Sequence, residues 1–422
     1  MLFYSSGESE KSISDEELKS SVFEILSKLG NRSRVLVVPP DITRYHSMAG
    51  KITGYIYEFY KERLVAILPA LGTHKSMSCG ERIVMFGEIP SELFFNHNWR
   101  EDVITIGEVP KKFVEEVSEG KVHYSWPAQI NRLLNEGAFD LILSVGQVVP
   151  HEVIGMANYN KNIFIGTGGP EGINKSHFIA ACYGMERIMG RTDTPVRKIL
   201  NYASENFGSH LPLVYLHTVI GKEQSGKPAV KGFYAGDDEE CFLQAASLSL
   251  KLNFEIVTTP MRKTVVFLDP QEYRSTWLGN KSIYRTRMAI GDEGELIVLA
   301  PGLKEFGEDP EIDRLIRKYG YCNTPRILQL VEEHADLKNN LSAAAHLIHG
   351  STEKRFSVCY CPGHLTQEEI ESVGYKYSDL IDMTNRYNPK KLNDGINIMP
   401  DGEEIYYISN PALGLWSVEG KF

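Results

Sequence analysis

Short apolar runs and stretches of helical period alternate along this chain. The segment SISDEELKSSVFEILSKLG (12–30) predicts a first helix. Ser14 and Glu17 stand three apart as a capping box, and Gly30 suits the stop. RVLVVPPD (34–41) predicts a buried strand that ends at a Pro-Pro turn and Asp41. GYIYEFYKERL (54–64) is helical, and VAILPALGTH (65–74) predicts a strand ending at His74. FDLILSVGQVVPH (139–151) predicts another, ending at His151. A helix follows over 194–208, with Pro195 in its first turn, then a strand over 211–221. Residues 225–237 predict a polar hairpin or loop, and 238–255 a long amphipathic helix.

The second half repeats the alternation. KTVVFLDP, GELIVLAPG and RFSVCYC predict three strands, separated by helical stretches at 309–320 and 324–350. The tail GEEIYYISNPALGLW predicts a last strand or a segment folding back on the first domain. The expected fold class is α/β: two α/β domains, 1–258 and 259–422, with the active site in the cleft between them. The first is expected to be the catalytic and ligand-binding domain. In parallel sheets the ligand crevice lies beyond the carboxyl ends of the strands, which is where Asp41, His74 and His151 fall.

Composition narrows the function classes. At 422 residues the chain is too long for one ordinary core. A formal net charge of −10 argues against a nucleic-acid partner. No apolar run approaches the roughly 18 residues of a membrane span. The N-terminus lacks the basic and apolar regions of a secretion signal, so a cytoplasmic location is expected. The six cysteines are scattered, as reduced thiols would be, and Cys359 and Cys361 have the wrong spacing for a zinc knuckle.

The candidate chemistry gathers in VGQVVPHEVIGMANYNKNIFIGTGGPEGINKSHFIA (145–180). His74 and His151, each at a strand end of one sheet, suit an acid/base pair on opposite faces of a substrate. Taken singly, each reads better as a loop histidine bonding its own backbone. His177, at the start of a predicted helix, reads as a metal ligand or as a backbone-satisfying residue. With no HExxH and no nearby carboxylate cluster, a three-ligand zinc site has little support. Lys161 is a solvated lysine or, drawn into a crevice, a nucleophile toward a carbonyl or thiocarboxyl group. GTGGPEG (166–172) is a candidate phosphate cradle through its backbone N–H groups. Arg44, with its fork held by Asp41, is a candidate anion clamp; a local Asx turn is the alternative.

In combination, these residues resemble the lactate racemases that carry a nickel-pincer nucleotide. The spacing of His151, Gly155, Lys161, Gly166 and His177 matches the central motif of that family. DITR (41–44), GTHKSM (72–77) and TPVR (194–197) match further elements in order, and the second half matches loosely around Lys281. The resemblance implies an isomerase, a racemase or epimerase inverting C2 of a 2-hydroxy acid. It implies the cofactor pyridinium-3,5-bisthiocarboxylic acid mononucleotide nickel, linked to Lys161, with His177 on the metal. Soft sulfur donors in a plane suit nickel, which explains how one histidine suffices. His74 and His151 would be the acid/base pair. Arg44 and Lys281 would hold the substrate carboxylate, and Asp41, Thr43, Arg44, Gly72 and Thr73 would position the cofactor. Enzymes that make the cofactor would be needed for activation, and no membrane partner is implied.

Departures from the family pattern point away from lactate. Lys75 and Ser76 stand where Arg and Pro are usual, and Asn158, Tyr159 and Asn160 replace a glycine-rich aromatic run. Leu278 stands where a Gln is usual, and the stretch 339–346 has no tryptophan. More polar lining suits a sugar acid such as an aldonate. The alternatives are a zinc-dependent lyase or hydrolase using the same histidines, and a non-catalytic binder of the nucleotide.

Overall fold

The reciprocal cap starts helix α1 (Asp15–Leu29). Ser14 Oγ accepts from the Glu17 N–H, and the Glu17 carboxylate accepts from the Ser14 N–H. The helix buries Leu18, Val22, Ile25 and Leu26, a stripe at spacings of three and four that faces a sheet core. The computed structural model describes residues 1–223 and 226–422. They form two units: residues 1–183 with 187–253, and residues 184–186 with 254–422.

Among the described residues, ten strands belong to the first unit. They begin with β1 (Leu2–Gly7), β2 (Val35–Val38) and β3 (Leu64–Ile67). A hairpin follows, β4 (Val103–Val109) with β5 (Trp126–Asn131). Then come β6 (Leu141–Gln147), the short pair β7 (Pro150–His151) and β8 (Gly155–Met156), β9 (Leu213–Lys222) and β10 (Pro228–Gly236). Six of them make one sheet in the order β1-β10-β9-β6-β2-β3. β9, β6, β2 and β3 run parallel, while β10 and β1 add antiparallel at one edge. Every residue of β2 is buried, as a strand covered on both faces should be.

The helices of this unit after α1 are α2 (Ala49–Tyr60), α3 (Cys79–Phe86), α4 (Lys111–Val117), α5 (Arg132–Glu136) and α6 (Asn160–Phe164). They continue with α7 (Pro170–Tyr183), α8 (Pro195–Phe207) and α9 (Glu239–Asn253). From β2 the chain winds to β3 on one side and to β6 on the other. The order therefore reverses between β2 and β6, which is where an open α/β sheet leaves its crevice.

In the second unit β11 (Phe254–Val257) precedes β12 (Met261–Phe267), β13 (Ile290–Ala300) and β14 (Ser357–Pro362). β15 (Lys376–Tyr377), β16 (Gly395–Ile398), β17 (Glu404–Ile408) and β18 (Leu415–Val418) follow. Its six-stranded sheet has the order β15-β14-β13-β12-β17-β16, with β16 alone antiparallel.

Several expectations change. The strand predicted to reach His74 ends at Ile67, because Pro69 has no N–H for the ladder. Residues 228–236 of the predicted hairpin or loop are strand β10, paired with β9; Ser225 lies outside the described residues. The helical stretch 324–350 breaks into Thr324–Glu333, Ala335–Lys338 and Leu341–Gly350, the last capped by Asn340 through the Ala343 N–H. The tail makes two strands: β17 joins the second sheet, and β18 pairs with β11 in the same unit. β1 and the β4–β5 hairpin were not expected. All six cysteines are free thiols.

Candidate active site

Three strand ends bring the polar residues together. After β2, Asp41 turns back to accept from the Thr43 N–H at 3.0 Å, an Asx turn. Its other oxygen lies 2.6 Å from His74 Nδ1. Asp41 therefore holds the His74 ring, and the fork of Arg44 is not its partner. The Asp41 side chain is 5% exposed and that of His74 is 44% exposed, so a buried anion anchors a ring that reaches solvent. Burial pushes the Asp41 carboxyl up, but the hydrogen bonds from His74 and Thr43 and the charge of Arg44 outweigh it and leave it below the usual value. A carboxylate only accepts, so Nδ1 of His74 carries the proton and Nε2 of the neutral ring has the lone pair.

His151 closes β7 with the opposite polarity. The Val153 N–H donates to its Nδ1 at 3.1 Å, so the neutral ring carries its proton on Nε2. Its side chain is 11% exposed, and Glu152 Oε2 lies 4.0 Å from Nδ1. The turn beyond it needs Gly155. Its φ is +85°, and a Cβ there would meet the Arg191 carbonyl oxygen at 1.9 Å.

Lys161 sits in the single helical turn α6, which is pinned over the sheet's reversal point. Asn162 Nδ2 donates to the carbonyl of Val38, the last residue of β2, at 3.0 Å and to Ser144 Oγ in β6 at 3.1 Å. The entry to α6 is strained, with φ of 69° at Asn158 and 60° at Tyr159. Arg197, buried on α8, holds it by donating to the carbonyls of Met156 (2.7 Å) and Asn158 (3.3 Å) and to Asn160 Oδ1. Burial, together with the charges of Arg44 and Arg197, pulls the Lys161 ammonium down to about 8, with Glu152 and Asp41 opposing.

His177 lies midway along α7, not at its start, because the helix begins at Pro170. Its Nδ1 donates to the Ile173 carbonyl at 2.8 Å, one helical turn back. Nε2 is then the acceptor atom, the arrangement that orients an imidazole toward a metal. Burial lowers its pKa and keeps the ring neutral, against the Ile173 bond and Glu152. Lys161 lies within electrostatic reach of His177, Arg44, Asp41 and Glu152, so the residues after β2, β6 and β7 and those on α6 and α7 share one neighbourhood.

The other candidate residues have settings of their own. The glycine-rich turn spends most of its N–H groups inside the fold. The N–H groups of Gly166, Thr167, Gly168 and Ile173 donate to nearby carbonyls, and that of Gly172 to Gln129 Oε1. The Gly72 N–H donates to the Gly166 carbonyl at 2.8 Å, tying the His74 loop to the end of the Lys161 turn, while Thr73 is exposed. Asn158, Tyr159 and Asn160 are buried in the fold. Asn158 bonds His217, Tyr159 stacks on Phe242, and Asn160 bonds Asn201. Lys281 begins a short helix of the second unit (Lys281–Thr286), with its ammonium 5.8 Å from the Tyr273 ring centroid. Among the described residues, no group of three or more His, Cys, Asp and Glu is placed to hold a metal ion. Nor is any described helix long and apolar enough to cross a membrane.

Comparisons with known proteins follow this geometry. Residues 6–187 match the family model of the lactate racemase N-terminal domain, a span that contains Asp41, His74, His151, Lys161 and His177. No curated protein matches the sequence. Among solved structures, a protein from Thermotoga maritima is similar at a TM-score of 0.80 and 26% identity, over 97% of this chain and 100% of that one. The lactate racemase apoprotein from Thermoanaerobacterium thermosaccharolyticum shares the fold at a TM-score of 0.72 and 16% identity, over 96% of this chain and 94% of that one.

Proposed function

We propose, from the match of residues 6–187 to the lactate racemase N-terminal domain, that this chain belongs to the lactate racemase family and inverts C2 of a 2-hydroxy acid. The observation that carries the reading is the opposed polarity of the two histidines. His74 offers a lone pair at Nε2, and His151 offers a proton at Nε2. Inversion at a carbinol carbon needs a proton acceptor on one face of the substrate and a donor on the other.

The donor set fits a nickel-pincer nucleotide better than an all-protein metal centre. One imidazole, His177, has its Nε2 fixed as an acceptor, and one amine, Lys161, titrates near 8, where it is a competent nucleophile. A cofactor that brings its own sulfur donors needs no more than that from the protein. Lys161 would tether it, His177 would bind its nickel, and Arg44 and Thr43 would flank it. When bound, the cofactor supplies an acceptor and donor for the C2 hydride.

The chain's own residues move the protons. His74 Nε2 takes the hydroxyl proton as C2 is oxidised to a keto acid. Asp41 holds the ring in the required tautomer and balances the imidazolium. His151 returns a proton to the carbonyl oxygen from the other face. Arg44 is the cation proposed for the substrate carboxylate. The aldonate reading now rests on Lys75 and Ser76, exposed beside His74, since Asn158, Tyr159 and Asn160 turn into the fold.

The test is the protein made alongside the cofactor pathway, incubated with a panel of 2-hydroxy acids in D2O and followed by NMR. C2 inversion with the C2 hydrogen retained is expected. Inversion with deuterium at C2 would replace hydride transfer by a carbanion route, and inactivity of the loaded protein across the panel would dismiss the reading. Intact mass should show an addition that Lys161→Ala abolishes.

A further inference from the structure

His74 has a preformed carboxylate partner, whereas the Nδ1 of His151 faces an N–H donor. That contact suits only the neutral ring. An imidazolium carries a second proton on Nδ1, which would point at the Val153 N–H. Both forms of the ring carry a proton on Nε2, but the imidazolium is the far stronger acid, so the working donor is the cation. Its Nδ1 proton needs an acceptor, and the Glu152 carboxylate stands 4.0 Å away on the adjacent residue. Building on the racemase reading, we propose that Glu152 is the partner of the His151 imidazolium, a positioning residue that does for His151 what Asp41 does for His74.

The pairing completes the acid/base logic. With Glu152 accepting from Nδ1, loss of the Nε2 proton leaves a lone pair at Nε2, the base that the reverse direction requires. Without it, deprotonation returns the ring to the Val153 contact, where Nδ1 alone can accept. The shift from Val153 to Glu152 is about 1 Å, the difference between 4.0 Å and a charge-assisted hydrogen bond.

The charged groups around Glu152 come from several elements. Lys161 on α6 and His177 on α7 both feel its charge. β8 brings only Gly155 and Met156. α9 also packs on β7, but its Glu239 and Glu240 accept from Asn201 and Gln244, and Lys251 is exposed at its far end.

The experiment is a histidine titration of the full-length apoprotein labelled with 15N-histidine, read in long-range 1H–15N spectra. His151→Gln and His74→Gln identify the signals. In the wild type, His151 should be the Nε2–H tautomer at high pH, and the Val153 amide should shift with the same midpoint as the ring. Glu152→Gln should lower the His151 midpoint by about 1 unit and leave that of His74 in place. Glu152→Asp, which keeps the charge, should restore most of it. An unchanged His151 midpoint in a folded Glu152→Gln protein overturns the pairing. So does a wild-type Val153 amide that does not follow His151, a measurement that needs no variant to fold. The titration requires neither cofactor nor substrate, so absence of turnover bears on the racemase reading alone.

Discussion

His74 and His151 are the same side chain in opposed settings. His74 rides a solvent-facing loop after β3, and its order comes from one hydrogen bond to a buried carboxylate. His151 is held at a buried strand end, and a backbone N–H sets its proton. The difference shows how a fold makes an unlike pair from like residues: each neutral imidazole is assigned its tautomer by whether Nδ1 meets an acceptor or a donor.

The largest effect that could break this comparison is loss of either ring. His74→Ala and His151→Ala should each lower turnover of the loaded protein by about 10²–10⁴-fold, the usual worth of one general acid or base. A variant that keeps full activity would remove its ring from the pair. Asp41→Asn comes next, because an amide can present the wrong partner to Nδ1. Turnover should fall about 10–100-fold, the value of a hydrogen bond to a charged group, with His74 appearing in the Nε2–H tautomer by NMR.

Arg44 sharpens the comparison from the cofactor side. Amine labelling followed by mass spectrometry should give Lys161 a midpoint at about 8. Arg44 lowers that value, so Arg44→Met should raise the midpoint; an unmoved midpoint would show that burial alone sets it. The smallest effect is on stability. The folded pKa of Asp41 is depressed, so its contribution is complete above the unfolded value of about 3.9 and is lost as pH falls through the folded value. Chemical denaturation should therefore separate the wild type from Asp41→Asn by about 1 kcal/mol at neutral pH, with the gap closing in acid.

Much of this was legible from local rules. The Ser14–Glu17 cap, the Pro195 helix start and the apolar strands follow from short-range chemistry. The candidate histidines were visible because strand ends of a parallel sheet collect ligand-facing residues. Long-range contacts were not legible. No spacing reveals that Asn162 reaches Val38 across 124 positions, or that Asp41 chooses His74 over Arg44. The polar run Asn158–Asn160 looked like pocket lining because composition carries no direction; the run is buried, with positive φ at Asn158 and Tyr159. Gly155 was noted for its place in a motif; its reason is the carbonyl of Arg191, which leaves no space for a Cβ. Glu152 escaped notice as one more charged residue beside a histidine.

The anchoring of Asn162 has a consequence for how the protein matures. Because the turn bearing Lys161 is tied to the ends of two central strands, its conformational entropy is lost when the sheet forms, long before any nucleotide arrives. On the proposed reading, covalent loading would begin from a rigid platform. Its speed would follow the chemistry of an amine meeting a thiocarboxyl group, with no loop to be ordered on the way.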